Sequence, residues 1–157
     1  MASHPRPRVL CVDDDEEACE MLKVLVNSVG IDATCVRSAA EAWPQIKAKS
    51  FDLYLLDGWL PRTDGYEFCR QIREFDSNTP ILFYSGAAYE ADKRKGIAAG
   101  ANAYVTKPDV EDLLETMLDL VAKFRADHVA ARWVSNHLPP ADESLSAQGF
   151  RVKTAAN

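Results

Sequence analysis

The sequence predicts an α/β fold in which helices cover both faces of a five-stranded parallel sheet. Two observations support this fold class. Short apolar runs alternate five times with segments of helical periodicity, and parallel neighbouring strands usually need helical crossovers to connect them. The runs are also continuously apolar, which is typical of strands that are buried on both faces.

The first strand is predicted at Val9–Val12, and the first helix follows Asp15, which suits the cap of that helix better than a metal site. The helix has apolar residues at the i, i+3, i+4 spacing of one helical face. They are Ala18, Met21, Leu22, Leu25, Val26 and Val29. Gly30 ends this helix, and the second strand is predicted at Ala33–Val36.

Ser38 and Glu41 have the spacing of a capping box, which predicts the start of the second helix. Pro44 lies inside it and predicts a kink or a delayed regular part. The third strand is Leu53–Leu56, an uninterrupted apolar run. The third helix is predicted to begin near Gly65, after a turn.

The fourth strand is predicted at Ile81–Tyr84 and the fifth at Ala103–Val105. Between them, residues 89–99 form a weak helix that has few apolar anchors and contains Gly96. The last helix has the clearest amphipathic pattern. Its apolar face consists of Val110, Leu113, Leu114, Met117, Leu120, Val121 and Phe124.

Composition narrows the function classes. The 157 residues carry a net charge of −6, which argues against a general binder of nucleic acid or of anionic membranes. The four cysteines form no Cys-x-x-Cys pair and have no zinc-ligand spacing, so we interpret them as small core residues in a reducing compartment. The first apolar run is too short for a signal peptide or a membrane span, and a cytoplasmic location is therefore expected.

Polar residues follow the predicted strands at one edge of the sheet, where ligands bind in open parallel sheets. Asp13 and Asp14 follow the first strand, and Asp57 follows the third. Such a group of carboxylates is costly unless a cation neutralises it. Oxygen ligands without histidine favour a hard ion, and we expect Mg²⁺. A magnesium ion beside a carboxylate suits phosphoryl transfer to that carboxylate.

Two further side chains would complete this site. Ser85 follows the fourth strand and can donate a hydrogen bond to a phosphoryl oxygen. Lys107 follows the fifth strand, in Thr106-Lys107-Pro108, and supplies the positive charge that attracts a phosphoryl group.

Four stretches together resemble the receiver domain of two-component response regulators. They are VLCVDDD, LYLLDGWLPRTDGYE, ILFYSGA and GANAYVTKP, in the family's order. The resemblance covers residues 8–124 and is to a stand-alone, chemotaxis-regulator-like receiver with a short C-terminal extension. It implies the flavodoxin-like strand order 2-1-3-4-5 and a protein that accepts a phosphoryl group from a sensor histidine kinase or a histidine phosphotransfer protein. The chain would catalyse only its own phosphorylation and dephosphorylation and would not otherwise be an enzyme.

The resemblance also implies a role for each site residue. Asp57 would be the phosphoacceptor, Asp14 a direct magnesium ligand and Asp13 a ligand through water, with the backbone carbonyl of Trp59 as a further ligand. Lys107 would bind the phosphoryl group, and the bond before Pro108 is often cis. Ser85 would be the switch hydroxyl and Tyr104 the switch aromatic, although Tyr104 could instead be a plain core residue. On phosphorylation, Ser85 would move toward the phosphate and open space for Tyr104. Trp59 and Ala87 would flank the path of hydrolytic water.

Two other functions remain open at this point. The chain resembles haloacid-dehalogenase-like phosphatases in ending a strand on a candidate nucleophilic aspartate. Those Mg²⁺-dependent enzymes carry a second aspartate two residues later, where this chain has Trp59, which cannot transfer protons. A degenerate receiver that acts only as a docking module is the other alternative.

The C-terminal part is predicted as two segments. Residues 125–138 would extend the last helix, and residues 139–157 would form a flexible tail, because Pro139-Pro140 ends the periodic pattern. No effector domain is expected after the receiver, so output would occur through protein–protein contact. The extension would expose Val129, Trp133 and Val134, which could form a homodimer or bind a partner protein. The alternative is that this segment folds back onto its own domain.

Overall fold

Seven strands and five helices occur along residues 4–138, the part of the chain that this computed structural model describes. The strands are β1 (Arg8–Val12), β2 (Asp32–Val36), β3 (Leu53–Leu56), β4 (Trp59–Leu60), β5 (Thr63–Asp64), β6 (Ile81–Ser85) and β7 (Ala103–Thr106). The helices are α1 (Glu16–Ser28), α2 (Ala39–Ala48), α3 (Gly65–Phe75), α4 (Glu90–Ala98) and α5 (Val110–His137). The predicted flexible tail, residues 139–157, lies outside the described residues.

Five of the strands form one parallel sheet in the order β2-β1-β3-β6-β7. This is the predicted order 2-1-3-4-5 when only the strands of this sheet are counted, so the fold class is confirmed. At the end of β1, Val12 pairs with Val36 of β2 and with Leu56 of β3. One residue further along, the Asp57 N–H donates a hydrogen bond to the Val12 carbonyl at 2.9 Å. The ends of β1 and β3 therefore lie side by side.

Each face of the sheet has its own apolar core. On one face, β1, β3 and β6 pack against α2 and α3, whose fully buried residues include Ala42, Phe68 and Ile72. On the other face the sheet packs against α1 and α5, through residues such as Leu22, Leu113 and Met117. Burial on both faces explains why the strand sequences are continuously apolar.

The buried face of α1 differs in part from its predicted apolar stripe. Met21, which belongs to the predicted apolar stripe, is 41% exposed, whereas Cys19 is buried. The face that packs on the sheet is centred on Cys19, Leu22 and Val26, and it is offset from the predicted stripe because the sequence pattern alone treats every apolar residue as inward. Burial and, as the next largest cause, the neighbouring Cys35 raise the pKa of Cys19 to about 12. An unreactive thiol of this kind suits a core residue.

Aspartate or serine caps begin four of the helices, as the sequence predicted for α1 and α2; at α5 the cap is Asp109, whose Oδ1 accepts from the Asp112 N–H at 2.9 Å. Asp15 Oδ1 accepts hydrogen bonds from the first-turn N–H groups of α1, and Ser38 Oγ accepts one from the Glu41 N–H at 3.1 Å. Glu41 in return accepts from the N–H of Arg37 rather than from Ser38. Asp64 caps α3. α2 continues through Pro44 from Ala39 to Ala48.

The segment after Asp57 contains an element that the sequence did not predict. Trp59–Leu60 and Thr63–Asp64 pair as two antiparallel strands, β4 and β5. The tight turn between them places Arg62 in the left-handed region, at φ 62°. Strands of two residues are too short for a hydrophobic period to appear, so this segment looked like a loop.

α5 is a single helix of 28 residues, and the boundary between two compact units of the chain falls within it, after Ala126. In the first unit, Arg125 forms an ion pair with Asp52 at 3.1 Å and donates to the Pro5 carbonyl. In the second unit every described residue from 127 to 138 is exposed. No helix among residues 4–138 is both long enough and apolar enough to span a bilayer.

We expect Asp76 to make stability depend on pH. Its carboxylate accepts hydrogen bonds from Tyr54 Oη at 3.0 Å and from Thr79 Oγ1 at 2.6 Å, as well as from two backbone N–H groups. Burial alone would raise its pKa, but these hydrogen bonds together outweigh burial and lower it. A lowered pKa stabilises the fold above the ordinary pKa of the carboxyl, and this contribution is lost as the pH falls through the folded-state value. Asp76→Ala should therefore lower the free energy of unfolding by about 2 kcal/mol at neutral pH.

Urea denaturation at pH 7 and pH 3 measures this effect. The difference between wild type and Asp76→Ala should shrink at the lower pH, and Ser77→Ala in the same turn is the matched control. An equal difference at both pH values would contradict the assignment.

Candidate functional site

Three carboxylates meet where β1 and β3 end. Asp13, Asp14 and Asp57 each present an oxygen, and these oxygens lie within 4.8 Å of one another. Asp13 and Asp57 are buried, whereas Asp14 is exposed. The aligned register of β1 and β3 causes this meeting, because both strands deliver their next residue to the same edge. The grouping predicted from the sequence is therefore present.

Lys107 is the cation of the site. It follows β7, and its Nζ lies 2.7 Å from Asp13 Oδ2 and 3.5 Å from Asp57 Oδ2. Burial opposes the charged ammonium, but the hydrogen bond and charges of Asp13 and Asp57 outweigh it and raise the pKa of Lys107. Lys107 is therefore charged and positioned between the two buried carboxylates. The bond between Lys107 and Pro108 is cis, as the resemblance implied.

Asp57 is held in a partly desolvated position. Burial raises the pKa of its carboxyl above the ordinary value. Lys107 acts in the opposite direction, Asp13 in the same direction, and hydrogen bonds from the Trp59 N–H and the Ser85 hydroxyl also lower the pKa. The Trp59 N–H donates to Asp57 Oδ1 at 3.4 Å. A carboxylate that is poorly hydrated and backed by a cation is suited to act as a nucleophile.

Ser85 and Gly58 line the site beside Asp57. Ser85 is fully buried at the end of β6, and a side chain at Gly58 would come within 2.9 Å of its Oγ. Gly65 is more restricted, because an added Cβ there would overlap the Asp57 carbonyl and lie 2.9 Å from the Gly58 Cα. The space around Asp57 therefore depends on two residues without side chains.

The acidic group meets the requirements of a magnesium site. All its donors are carboxylate oxygens, which are ligands that Mg²⁺ prefers. Asp13, Asp14 and Asp57 can contribute, and the exposure of Asp14 leaves one side of the group open to water, which Mg²⁺ usually retains. The ligand role of the Trp59 carbonyl stays a prediction.

The other residues that the sequence analysis singled out are not among the three clustered carboxylates. Trp59 lies two residues after Asp57 in the chain, yet it is 73% exposed. Tyr104 lies on β7, and its hydroxyl donates to the Ala87 carbonyl at 2.7 Å. Val129, Trp133 and Val134 belong to the second unit and are exposed. The predicted movement of Ser85 and Tyr104 stays a prediction.

Sequence reasoning missed one residue near this site. Tyr66, in the first turn of α3, has its hydroxyl 3.3 Å from the Tyr104 hydroxyl. The same hydroxyl lies 3.4 Å from the position that a Cβ of Gly58 would occupy. The sequence offered no sign of this contact, because a tyrosine on an amphipathic helix is indistinguishable from core packing.

The family model of the response regulator receiver domain matches residues 9–119. The chain belongs to the response regulator receiver family. It is 38% identical over 122 residues to the transcriptional regulatory protein YvrH of Bacillus subtilis, which corresponds to 75% of this chain and 47% of that protein. The chain spans about half to two thirds of the length of the first curated relatives that it matches.

Solved receiver structures resemble this receiver closely. The Francisella response regulator 1452 receiver domain is 28% identical, with a TM-score of 0.71, and the match covers 74% of this chain and 98% of that one. The chemotaxis response regulator CheY4 of Vibrio cholerae is 27% identical, with a TM-score of 0.69, covering 74% of this chain and 99% of that one. In both comparisons, nearly the whole of the solved chain matches, so the shared part is a complete receiver fold.

Proposed function

We propose that this receiver accepts a phosphoryl group on Asp57 from the phosphohistidine of a sensor histidine kinase or of a histidine phosphotransfer protein. One observation carries the proposal. A buried carboxylate at a strand end lies within 4.8 Å of two other carboxylate oxygens and 3.5 Å from a lysine ammonium. This arrangement provides a nucleophile, a place for a divalent cation and a fixed positive charge.

Each residue would contribute a defined part of the transfer. An oxygen of Asp57 forms the bond to phosphorus, the bond from phosphorus to the imidazole nitrogen breaks, and the imidazole keeps the electron pair and takes up a proton. Lys107 and the Ser85 hydroxyl interact with the phosphoryl oxygens and position the group in line. Asp13, Asp14, Asp57 and the Trp59 carbonyl would hold Mg²⁺, which supplies charge neutralisation for the transferred group.

The dependence on a divalent cation can be tested directly. Intact mass is measured after incubation with a small phosphodonor, with Mg²⁺ or with a chelator. The protein should gain the mass of one phosphoryl group only in the presence of Mg²⁺. Equal labelling with the chelator would remove the cation from the proposal.

The same residues weigh against the two alternative functions. A phosphohydrolase of the haloacid-dehalogenase type would need a proton-transferring side chain at position 59, and Trp59 has none. A docking module without phosphorylation would not require Lys107 to lie between two buried carboxylates. The proposed receiver therefore acts catalytically only on its own phosphorylation state.

Output is proposed to occur through protein–protein contact in the cytoplasm, with Ser85 and Tyr104 as the switch residues. Phosphorylation would shift a two-state equilibrium at α4, β7 and α5. α4 suits a mobile element because Gly96 is its one buried residue. Neither nucleic acid nor membrane is proposed as a partner of the receiver.

We expect the phosphoryl group to be lost slowly. By resemblance, Trp59 and Ala87 flank the path of hydrolytic water. The indole of Trp59 can only donate a hydrogen bond, and Ala87 has no polar side-chain atom, so neither side chain can accept a hydrogen bond from attacking water. Because the Trp59 ring is 73% exposed, this lack of an acceptor is a stronger reason than shielding by the ring. Trp59→Asn should accelerate the decay of the phosphorylated form by up to about 100-fold, which is the lower end of the effect of a positioned catalytic group.

Loss of the phosphorylated species after removal of the donor measures this decay. Trp43→Phe, at a tryptophan in the α2 core, is the control. A wild type that loses its phosphoryl group faster than Trp59→Asn would contradict the expectation.

We expect a homodimer through the end of α5. Val129, Trp133 and Val134 are 65%, 58% and 45% exposed, and large exposed aromatic side chains are common interface anchors. Sedimentation velocity over a range of concentrations should show association of the wild type, and Trp133→Ala should weaken it about tenfold or more. Trp59→Ala is the matched control for loss of an exposed tryptophan. A wild type that stays monomeric, together with a truncation after Phe124 that loses thermal stability, would favour packing of this segment on its own domain.

A further inference from the structure

Three aromatic rings lie together between α3 and the edge of the sheet. Phe83 of β6 is in the middle, with its ring centroid 5.1 Å from that of Tyr66 and 5.6 Å from that of Tyr104. The Phe83 and Tyr104 rings are stacked, at an interplanar angle of 27°. Phe83 is fully buried, whereas the two tyrosines are partly buried. The two hydroxyl groups therefore meet beside a ring that cannot move without disturbing the core.

A glycine on α4 makes room for the Tyr104 ring. A Cβ added at Gly96 would lie 2.9 Å from Tyr104 Cδ2 and 3.1 Å from Phe83 Cδ2. Both distances are shorter than ordinary contacts between carbon atoms. The Tyr104 ring therefore lies in a narrow slot, which is formed by the Phe83 ring and by the backbone of α4 at Gly96.

The direction of the hydrogen bonds in this slot follows from donor and acceptor chemistry. Tyr104 Oη lies 2.7 Å from the Ala87 carbonyl oxygen, which can only accept. The single hydroxyl proton of Tyr104 is therefore used in that bond. In the 3.3 Å contact between the two hydroxyls, Tyr66 must then be the donor. Tyr66 thus supplies the second hydrogen bond to the Tyr104 oxygen.

The peptide groups around Ala87 connect this slot to the acidic site. The Ala87 N–H donates to Ser85 Oγ at 3.3 Å, while the Ala87 carbonyl accepts from Tyr104. Ser85 Oγ in turn lies 2.9 Å from the position that a Cβ of Gly58, the residue after Asp57, would occupy. Hydrogen bonds therefore run from Ser85 through the backbone of Ala87 to Tyr104 and end at Tyr66, and Ser85 brings this series to the edge of the acidic site.

We propose that Tyr66 is a positioning residue that fixes Tyr104 in its slot and thereby couples the position of Tyr104 to the state of Asp57. The coupling to phosphorylation rests on the proposed function, whereas the positioning of Tyr104 does not. A purely structural Tyr66 would contribute its ring to the core and nothing through its oxygen. Tyr66→Phe separates these two roles, because it keeps the ring against Phe83 and removes only the hydroxyl donor.

The first measurement follows Tyr104 directly, in protein labelled with 3-fluorotyrosine and without any added ligand. The ¹⁹F resonance of Tyr104 is assigned by its loss in Tyr104→Phe. In Tyr66→Phe we expect this resonance to shift and broaden, because the Tyr104 oxygen loses a donor. Tyr54→Phe is the matched control, since it removes a partly desolvated hydroxyl that hydrogen-bonds Asp76 on another part of the sheet. An unchanged Tyr104 resonance in Tyr66→Phe would overturn the proposal.

The second measurement is the affinity of the chain for beryllofluoride, a phosphoryl mimic, in the presence of Mg²⁺. Loss of one neutral hydrogen bond corresponds to about a fivefold change in an equilibrium constant. Tyr66→Phe should weaken binding by about this factor, Tyr104→Phe should do the same, and the double variant should be no weaker than either. Tyr54→Phe should lower thermal stability and leave the affinity unchanged.

The results also separate this proposal from the proposed function. Independent, additive losses in the double variant, or no loss in Tyr66→Phe, would refute the coupling. A wild type that does not bind beryllofluoride would refute the proposed function, and the Tyr104 resonance would then still decide whether Tyr66 positions Tyr104.

Discussion

Asp57→Asn should abolish phosphorylation of the receiver by a small phosphodonor in the presence of Mg²⁺. The amide has nearly the same shape as the carboxylate and can stay in the buried position beside Lys107. It lacks the anionic oxygen that must bond to phosphorus. Among the other described carboxylates, only Asp13 is both buried at a strand end and in contact with Lys107. Both oxygens of Asp13 are already held, Oδ2 by Lys107 at 2.7 Å and Oδ1 by the Asp15 N–H at 3.0 Å, whereas the corresponding contacts of Asp57 are longer, at 3.5 and 3.4 Å.

Intact mass and peptide mapping measure this outcome. Asp64→Asn is the matched control, because it makes the same chemical change at an exposed helix cap, where asparagine and aspartate are equally effective. The control should be labelled as the wild type is. Labelling of Asp57→Asn to the wild-type extent would contradict the assignment of the phosphoacceptor.

Gly65→Ala should damage the site nearly as severely. The new methyl group would overlap the Asp57 carbonyl and approach the Gly58 Cα and carbonyl at 2.9 Å. These neighbours are backbone atoms, which cannot move away by a change of rotamer as a side chain can. Overpacking of this kind costs about 1–3 kcal/mol of stability. Displacement of Asp57 by about 1 Å would lower the rate of phosphorylation by about 100-fold.

Gly86→Ala is the control at the same edge of the sheet, since a Cβ added at Gly86 meets nothing within 4 Å. Thermal unfolding and the initial rate of labelling should change little in that variant. If Gly65→Ala were labelled at the wild-type rate, the close approach at Gly65 would not control the position of Asp57.

Much of the sheet could be predicted because its sequence pattern is strong. β3 occupies the predicted Leu53–Leu56, and β6 and β7 are each one residue longer than expected, since polar Ser85 and Thr106 continue the ladder without contributing apolar character. β4 and β5 could not be predicted, because their pairing depends on the tight turn at Arg62 rather than on periodicity. Met21 was misplaced because the sequence does not show which apolar residues of α1 face the sheet.

The acidic site was predictable for a related reason. Parallel strands bring their carboxyl ends to one edge, and the strand order implied by the resemblance places β1 beside β3, so Asp13 and Asp57 were expected to meet. The contact between Tyr66 and Tyr104 was not predictable, since it depends on side-chain directions across α3 and β7. The closer approach of Lys107 to Asp13 than to Asp57 depends on similar detail.

The contact between Asp13 and Lys107 joins residues 94 positions apart in the chain. Loops of this length close late in folding, after more local contacts have formed. Until β7 pairs with β6, the carboxylates at the ends of β1 and β3 repel one another without their ammonium counter-ion. We therefore expect the nucleophile and its cation to come together only in fully folded molecules. Partly folded chains would be unable to accept a phosphoryl group, which makes the reaction itself a test of correct folding.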